Sequence, residues 1–142
     1  MSTLHSFAAV RELPSSSNAS HRLRVVVADD TPHMLDTVTA IMERSGQVDV
    51  VATATNGIGA IRAAQRFTPD LVVLDVCMPM MSGFEAATHI KRRLPDTKVL
   101  MVSADDDPEL GLVALDCGAD GFMWKRNLAA GWQKALRLLF PE

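Results

Sequence analysis

The 142-residue chain contains 48% apolar and 22% charged residues, a composition that supports a packed core and excludes wholesale disorder. The net charge is −3, and since residues 1–24 carry three arginines and one glutamate, residues 25–142 hold a net charge of −5. A domain this acidic is a poor candidate for binding nucleic acid through the phosphate backbone, and a fair candidate for binding cations.

The first 22 residues end in a run of serine, asparagine and proline that favours solvation over packing. This composition predicts a flexible Ser-rich tail at residues 1–22, followed by one domain at residues 23–142. Cys77 and Cys117 lie forty positions apart without a CxxC pair, so reduced thiols in a cytoplasmic protein are expected. No apolar run is long enough to span a membrane, and the start lacks the basic and apolar regions of a secretory signal.

Five short apolar runs follow the tail. They are continuous rather than alternating, as is typical of strands that are covered on both faces of a sheet. The runs are Val25–Ala28, Val48–Ala52, Leu71–Leu74, Val99–Val102 and Phe122–Trp124.

Each run is followed by a segment with helical spacing of apolar residues, and this strict alternation predicts an α/β fold with a parallel sheet. Asp107 is expected to be the N-cap of the fourth helix, with Pro108 at its first position, and Asn127 is expected to cap the fifth. The predicted helices cover residues 34–42, Gly57–Phe67, Gly83–Leu94, residues 110–117 and residues 128–139.

Polar residues follow four of the five predicted strands, where ligands bind to an open parallel sheet. Asp29 and Asp30 follow the first strand, Asp75 the third, Ser103 ends the fourth, and Lys125 follows the fifth. Three crowded carboxylates repel one another unless a cation lies among them, and oxygen ligands of this kind suit Mg²⁺. An aspartate in such a site can act as a nucleophile that forms an acyl phosphate.

Four stretches that contain these residues, in this order and at this spacing, resemble the response-regulator receiver domains of two-component signalling, most closely those of LuxR-type regulators. The stretches read VVVADD at 25–30, DVCMPMMSG at 75–83, VSA at 102–104 and GADGFMWK at 118–125. The resemblance implies a flavodoxin-like (βα)5 doubly wound fold, with five parallel strands in the order 2-1-3-4-5.

The resemblance also implies the roles of individual residues. Asp75 is expected to accept a phosphoryl group from the phosphohistidine of a sensor histidine kinase or a histidine phosphotransfer protein, and Lys125 to pair with the phosphoryl oxygens. Mg²⁺ is expected to bind Asp29, Asp30, Asp75 and the backbone carbonyl of Cys77. The implied activity is that of a stoichiometric phosphoacceptor, not an enzyme, with Mg²⁺-dependent self-phosphorylation and slow self-dephosphorylation.

Ser103 matches the switch hydroxyl of the family, and Phe122 matches the aromatic residue that follows it inward. The expected output is a protein contact through the face formed by the fourth helix, fifth strand and fifth helix, made as a monomer or a phosphorylation-dependent homodimer. One departure concerns Arg126, because many receivers have a cis proline directly after the lysine.

The sequence leaves four interpretations, of which the first is preferred. The chain can be a receiver without an output domain, as its end after the fifth helix suggests, or the receiver half of a LuxR-type DNA-binding regulator. An aspartate-nucleophile phosphatase of the haloacid dehalogenase type would require Asp-x-Asp after the first strand, which Asp29-Asp30-Thr31 does not supply. A pseudo-receiver that no longer accepts phosphate is disfavoured by the complete set of acidic residues.

Overall fold

The computed structural model describes residues 9–13 and 22–141. The strands are β1 (Val10–Glu12), β2 (Leu23–Ala28), β3 (Val48–Ala54), β4 (Leu71–Asp75), β5 (Lys98–Ser103) and β6 (Gly121–Trp124). The helices are α1 (Pro32–Arg44), α2 (Gly57–Phe67), α3 (Gly83–Arg93), α4 (Glu109–Asp116) and α5 (Leu128–Leu139), and a 3-10 turn at Lys125–Asn127 precedes α5.

The strands form one sheet in the order β1-β3-β2-β4-β5-β6. Strands β2 to β6 are parallel, and their order confirms the predicted doubly wound α/β fold. The sheet has six strands instead of the predicted five, because β1 adds to the β3 edge in the antiparallel direction.

The prediction of a flexible tail was wrong for residues 9–13. Val10 and Glu12 pair with Ala54 and Ala52 of β3, and the amide of Leu13 donates to the carbonyl of Val51 at 2.8 Å. Without β1, strand β3 would be an edge strand with unpaired backbone groups, and the partly buried Val10 and Leu13 would be exposed. The remainder of the predicted tail, residues 1–8 and 14–21, lies outside the described residues.

The core consists of two apolar layers, one on each face of the sheet. Helices α2, α3 and α4 cover one face mainly through alanines such as Ala60, Ala64 and Ala86, which let these helices approach the strands closely. Helices α1 and α5 cover the other face with larger side chains, including Met42 and Trp132. Both faces of the central strands are therefore buried, which explains why those strands read as continuous apolar runs.

Two predicted helix starts need correction. Helix α4 begins at Glu109, with Pro108 in the cap position, and Asp107 Oδ1 accepts a hydrogen bond from the Glu109 amide at 3.0 Å. Asn127 precedes α5, but its side chain makes no capping hydrogen bond. The 3-10 turn that ends at Asn127 already leads the chain into α5, with helical backbone angles at the cap position.

Candidate functional site

Three aspartates meet at the carboxyl ends of β2 and β4. One carboxylate oxygen from each of Asp29, Asp30 and Asp75 lies within 4.8 Å of the others. Asp29 and Asp75 are buried, at 1% and 5% exposure, whereas Asp30 is exposed to solvent. The structure therefore brings together the three carboxylates that sequence reasoning selected.

Backbone contacts between neighbouring strands fix the two buried aspartates. The amide of Asp29 donates to the carbonyl of Ala54 at 3.0 Å, and Asp29 Oδ1 accepts from the amide of Thr31 at 3.0 Å. Asp75 is the last residue of β4 and pairs with Val102 of β5. These contacts place both residues at the carboxyl edge of the sheet.

Gly83 allows the loop after Asp75 to fold back tightly against the strand. Its amide donates to the carbonyl of Val76 at 2.9 Å, and a Cβ at this position would lie 2.1 Å from the backbone oxygen of Asp75. Helix α3 then begins at Gly83 with a capping box between Ser82 and Glu85. Glycine is needed here because any side chain would push the loop away from Asp75.

Lys125 lies between the two buried carboxylates. Its Nζ atom is 2.6 Å from Asp29 Oδ2 and 3.4 Å from Asp75 Oδ2. The Lys125 side chain is 11% exposed, so both ion pairs are largely shielded from water. One ammonium among three carboxylates leaves two negative charges uncompensated within the cluster.

The pKa of Asp75 reflects this environment. The pKa of Asp75 is raised to about 6, mainly by burial and secondly by the nearby charge of Asp29, while Lys125 and the backbone amide of Cys77 partly oppose that rise. Burial lowers the pKa of Lys125, but its contacts with Asp29 and Asp75 outweigh this effect and raise the pKa overall. Lys125 is therefore charged at neutral pH, and Asp75 is the carboxylate whose ionisation is opposed by its surroundings.

The donor set fits a divalent cation such as Mg²⁺. All three candidate side chains offer carboxylate oxygens, which hard cations prefer, and their residual charge equals that of one Mg²⁺. Asp30, on the solvent side, also lines an adjoining cleft of about 610 Å³ together with Cys77 and Met78. The predicted contribution of the Cys77 carbonyl remains a prediction, since the contact found for Cys77 is from its amide to Asp75.

Ser103 and Phe122 do not contact the carboxylates. Ser103 ends β5 and is 2% exposed, and its Oγ accepts a hydrogen bond from the Asp105 amide at 3.0 Å. The half-buried Phe122 ring packs edge to face on Trp124, at 5.7 Å between centroids. Phe122 also lies beside α4, because a Cβ at Gly111 would be 3.6 Å from its ring. Both residues thus link the site to α4.

Sequence reasoning missed one contact beside the site. Arg126 forms an ion pair with Asp106 of the loop after β5, and its guanidinium lies 5.3 Å from the centre of the Trp124 ring. The sequence offered only a weak signal for this ion pair, namely an acidic run at residues 105–107 and a basic residue directly after Lys125. Whether the two pair depends on how the two loops are placed.

The match to a family model covers this whole arrangement. Residues 25–137 match the response regulator receiver domain, and the chain therefore belongs to that family. None of the described helices combines the length and hydrophobicity needed to span a bilayer.

The relatives include regulators of the NarL and LuxR type as well as protein-glutamate methylesterases. The chain is 36% identical over 121 residues to the "Probable transcriptional regulatory protein NarL" of Mycobacterium tuberculosis, covering 85% of this chain and 56% of that protein. The solved structure of the signal receiver domain of NarL from M. tuberculosis has a TM-score of 0.74 at 33% identity, covering 81% of this chain and 96% of that domain. A LuxR-family response regulator from an Aurantimonas species has a TM-score of 0.77 at 29% identity, covering 81% of this chain and 82% of that one. The chain spans about half the length of the curated relatives it matches.

Proposed function

We propose that this receiver domain is a phosphorylation-dependent signalling switch in which Asp75 accepts a phosphoryl group from a phosphohistidine. The observation that carries the proposal is the group of three carboxylates around Asp75 with Lys125 as their basic neighbour. Such a site has uncompensated negative charge for a divalent cation and a fixed ammonium for phosphoryl oxygens. Family membership supports this activity.

The proposed transfer needs little covalent chemistry from the protein. An Asp75 carboxylate oxygen attacks phosphorus, the P–N bond to the donor histidine breaks, and the imidazole nitrogen keeps the bonding electrons. Asp29, Asp30, Asp75 and the Cys77 carbonyl would hold Mg²⁺, which when bound would neutralise charge on the transferring oxygens. Lys125 already lies 3.4 Å from Asp75 and would stabilise the same charge.

The proposed switch begins at Ser103. Phosphorylation replaces the Asp75 carboxylate with a group of about −2 charge and three strong acceptor oxygens. The Ser103 hydroxyl gains a new acceptor, turns away from Asp105, and shifts the loop that leads to α4. Phe122 then follows inward, since its ring packs between Trp124 and α4. A bias of a few kcal/mol between two packings is enough to reverse their populations.

The proposed output surface is formed by α4, β6 and α5. Leu112 and Leu115 of α4 and Leu138 of α5 are 66%, 62% and 73% exposed, so both helices present apolar side chains that a partner could cover. We assign to this face a protein contact with a downstream partner or, after phosphorylation, with a second copy of the chain. The domain itself is proposed to bind neither nucleic acid nor membrane.

A second candidate is the receiver half of a DNA-binding transcription regulator of the LuxR type. It is favoured by the similarity to NarL of M. tuberculosis, a transcriptional regulatory protein almost twice as long as the matched region. In that case the same output face would control a DNA-binding module. The phosphatase alternative is excluded by membership of the receiver family.

A cytoplasmic location follows from the proposed exchange with a histidine kinase or histidine phosphotransfer protein. It agrees with the two cysteines, since neither Cys77 nor Cys117 forms a disulfide within the described part of the chain. The protein would act as a stoichiometric phosphoacceptor, with slow self-dephosphorylation resetting it.

The test is intact-mass measurement of the full chain after incubation with acetyl phosphate and Mg²⁺. We expect the gain of one phosphoryl group, its loss in Asp75→Asn, and its loss when EDTA removes the metal. Asp36→Asn is the matched control, because Asp36 is an exposed aspartate on α1. Labelling that persists in Asp75→Asn, or no labelling of the wild type by either acetyl phosphate or phosphorylated histidine kinases, would contradict the proposal.

A further inference from the structure

Arg126 joins the two loops that border the site on the β5 and β6 side. Its guanidinium pairs with Asp106 in the loop between β5 and α4, and it stacks over Trp124, the last residue of β6. The loop after β5 begins at Ser103, and the turn after β6 begins at Lys125. Arg126 therefore connects the loop that follows Ser103 to the turn that contains Lys125.

The loop after β5 is held in its present form by its own side chains. Ser103 Oγ accepts from the amide of Asp105, Asp105 Oδ1 accepts from the amide of Asp107, and Asp107 Oδ1 accepts from the amide of Glu109, each at 3.0 Å. The Ser103 hydroxyl is consequently engaged within the loop. Three successive aspartates repel one another, and Arg126 supplies the positive charge that opposes this repulsion.

We propose that Arg126 is a positioning residue that holds the Ser103–Asp107 loop in its unphosphorylated arrangement and so sets the threshold of the switch. This inference rests on the proposed function. For the Ser103 hydroxyl to donate to a phosphoryl group on Asp75, it must release the Asp105 carbonyl, to which it donates at 3.4 Å in this arrangement. Asp106, the next residue, then moves with the opening turn and leaves Arg126.

The size of the effect follows from the two contacts that are lost. The Arg126 and Asp106 side chains are 57% and 68% exposed, so their ion pair is of the weak surface kind. The stack on Trp124 adds a contribution of similar size. Together they bias the loop equilibrium by about 3- to 10-fold.

The first experiment compares initial rates of labelling by acetyl phosphate at saturating Mg²⁺ in Arg126→Ala, Asp106→Asn and the double variant. Arg126→Ala should be labelled about 3- to 10-fold faster than the wild type, and Asp106→Asn, which loses the ion pair alone, about 1.5- to 5-fold faster. The double variant should be labelled no faster than Arg126→Ala. Arg126→Lys keeps the charge and should return part of the way to the wild-type rate.

The two single substitutions change the net charge in opposite directions, which separates the proposal from simple attraction of the anionic donor. If Arg126 acted only by attracting acetyl phosphate, Arg126→Ala would slow labelling and Asp106→Asn would not. The proposal would be overturned if the two single substitutions changed the labelling rate in opposite directions. It would also be overturned if their effects added in the double variant, or if the labelling rate did not change.

Arg66 offers a matched control elsewhere in the fold. It forms an exposed ion pair with Glu12 at 3.1 Å and stacks 5.1 Å from the centre of the Phe67 ring. Arg66→Ala removes the same kind of contact at the β1 side of the sheet and should leave the labelling rate unchanged. An equal acceleration in this variant would contradict a role specific to Arg126.

A second measurement distinguishes failure of this inference from failure of the proposed function. Hydrogen exchange of the Asp105 amide, followed by NMR without a phosphodonor, reports directly on the bond to Ser103. It should accelerate about 3- to 10-fold in Arg126→Ala, even if Asp75 accepts no phosphate. Unchanged exchange would overturn the inference, whereas absent labelling with accelerated exchange would overturn only the proposed function.

Discussion

Two lysines of this domain contact buried or half-buried carboxylates, one at each end of the sheet. At the amino end, Lys91 Nζ donates to the carbonyls of Pro95 and Thr97 and to Asp120 Oδ2, at 3.1, 2.9 and 3.0 Å. Asp120 Oδ2 also accepts from the Val99 amide at 2.8 Å. At the carboxyl end, Lys125 contacts two carboxylates at 2.6 and 3.4 Å.

The difference between the two clusters is one of satisfied and unsatisfied charge. Lys91 uses all three of its N–H groups, and its charge is matched by the single carboxylate of Asp120. Around Lys125 there are three carboxylates for one ammonium, and burial raises the pKa of Asp75 to about 6. The first cluster is therefore complete as it stands, whereas the second has negative charge left for a cation to neutralise.

The largest expected difference between the clusters is in phosphoryl transfer. Lys125→Met should reduce the rate of labelling by acetyl phosphate by about 100-fold or more, because a fixed positive charge beside the transferring oxygens is lost. Lys91→Met should change the rate by less than about twofold, since Lys91 lies at the opposite end of the sheet. The rates would be measured by intact mass at saturating Mg²⁺, where the metal limits repulsion between Asp29 and Asp75. A comparable loss in both variants would mean that the clusters do not differ in function.

The next effect concerns pH. Asp75 binds its proton more tightly in the folded state, where its pKa is about 6, than at its ordinary value of 3.8. The stabilisation from this proton is fully present below about pH 4 and is lost as the pH rises through about 6. An asparagine does not ionise, so the Asp75→Asn variant does not lose stability in this way as the pH rises. In metal-free buffer, the free energy of unfolding of the variant relative to the wild type should therefore increase by about 2 kcal/mol from pH 4 to pH 7.5.

Urea unfolding at a series of pH values would measure this gain, with Asp36→Asn as the control that should follow the wild type. Saturating Mg²⁺ should stabilise the wild type and remove most of the difference at pH 7.5. A difference that does not vary with pH would show that Asp75 is no more costly to ionise than an exposed aspartate.

The sheet and the acidic cluster could be predicted because they depend on short-range patterns. Continuous runs such as Val25–Ala28 and Leu71–Leu74 identified the buried strands, and the rule that parallel strands end at one edge brought Asp29, Asp30 and Asp75 together. These features survive errors of one or two residues in the helix boundaries.

Other features depend on contacts between distant or irregular segments. Strand β1 has three residues and pairs with residues 52–54, which lie 40 to 44 positions away in the sequence, so nothing local marks it as a strand. The Arg126–Asp106 pair spans 20 positions and joins two loops whose shapes are set by turns. The Lys91–Asp120 pair spans 29 positions, and its neighbours in sequence do not distinguish it from a solvated lysine.

The smallest expected effect is on stability at the amino end of the sheet. Lys91→Met should lower the free energy of unfolding by about 1.5 kcal/mol, because three hydrogen bonds are lost but the side chains are 19% and 23% exposed. The methionine keeps the apolar stem, which packs beside Gly118, so the loss reports on the ammonium alone. Urea unfolding would measure it, with the exposed Lys134 of α5 providing Lys134→Met as a control expected to change stability by less than about 0.5 kcal/mol. Because the single carboxylate of the Lys91 cluster leaves no negative charge for a metal ion, Mg²⁺ should stabilise Lys91→Met and the wild type equally. If Mg²⁺ restored the stability that Lys91→Met loses, the two ends of the sheet would be energetically coupled. That result would contradict separate structural and functional roles for the two clusters.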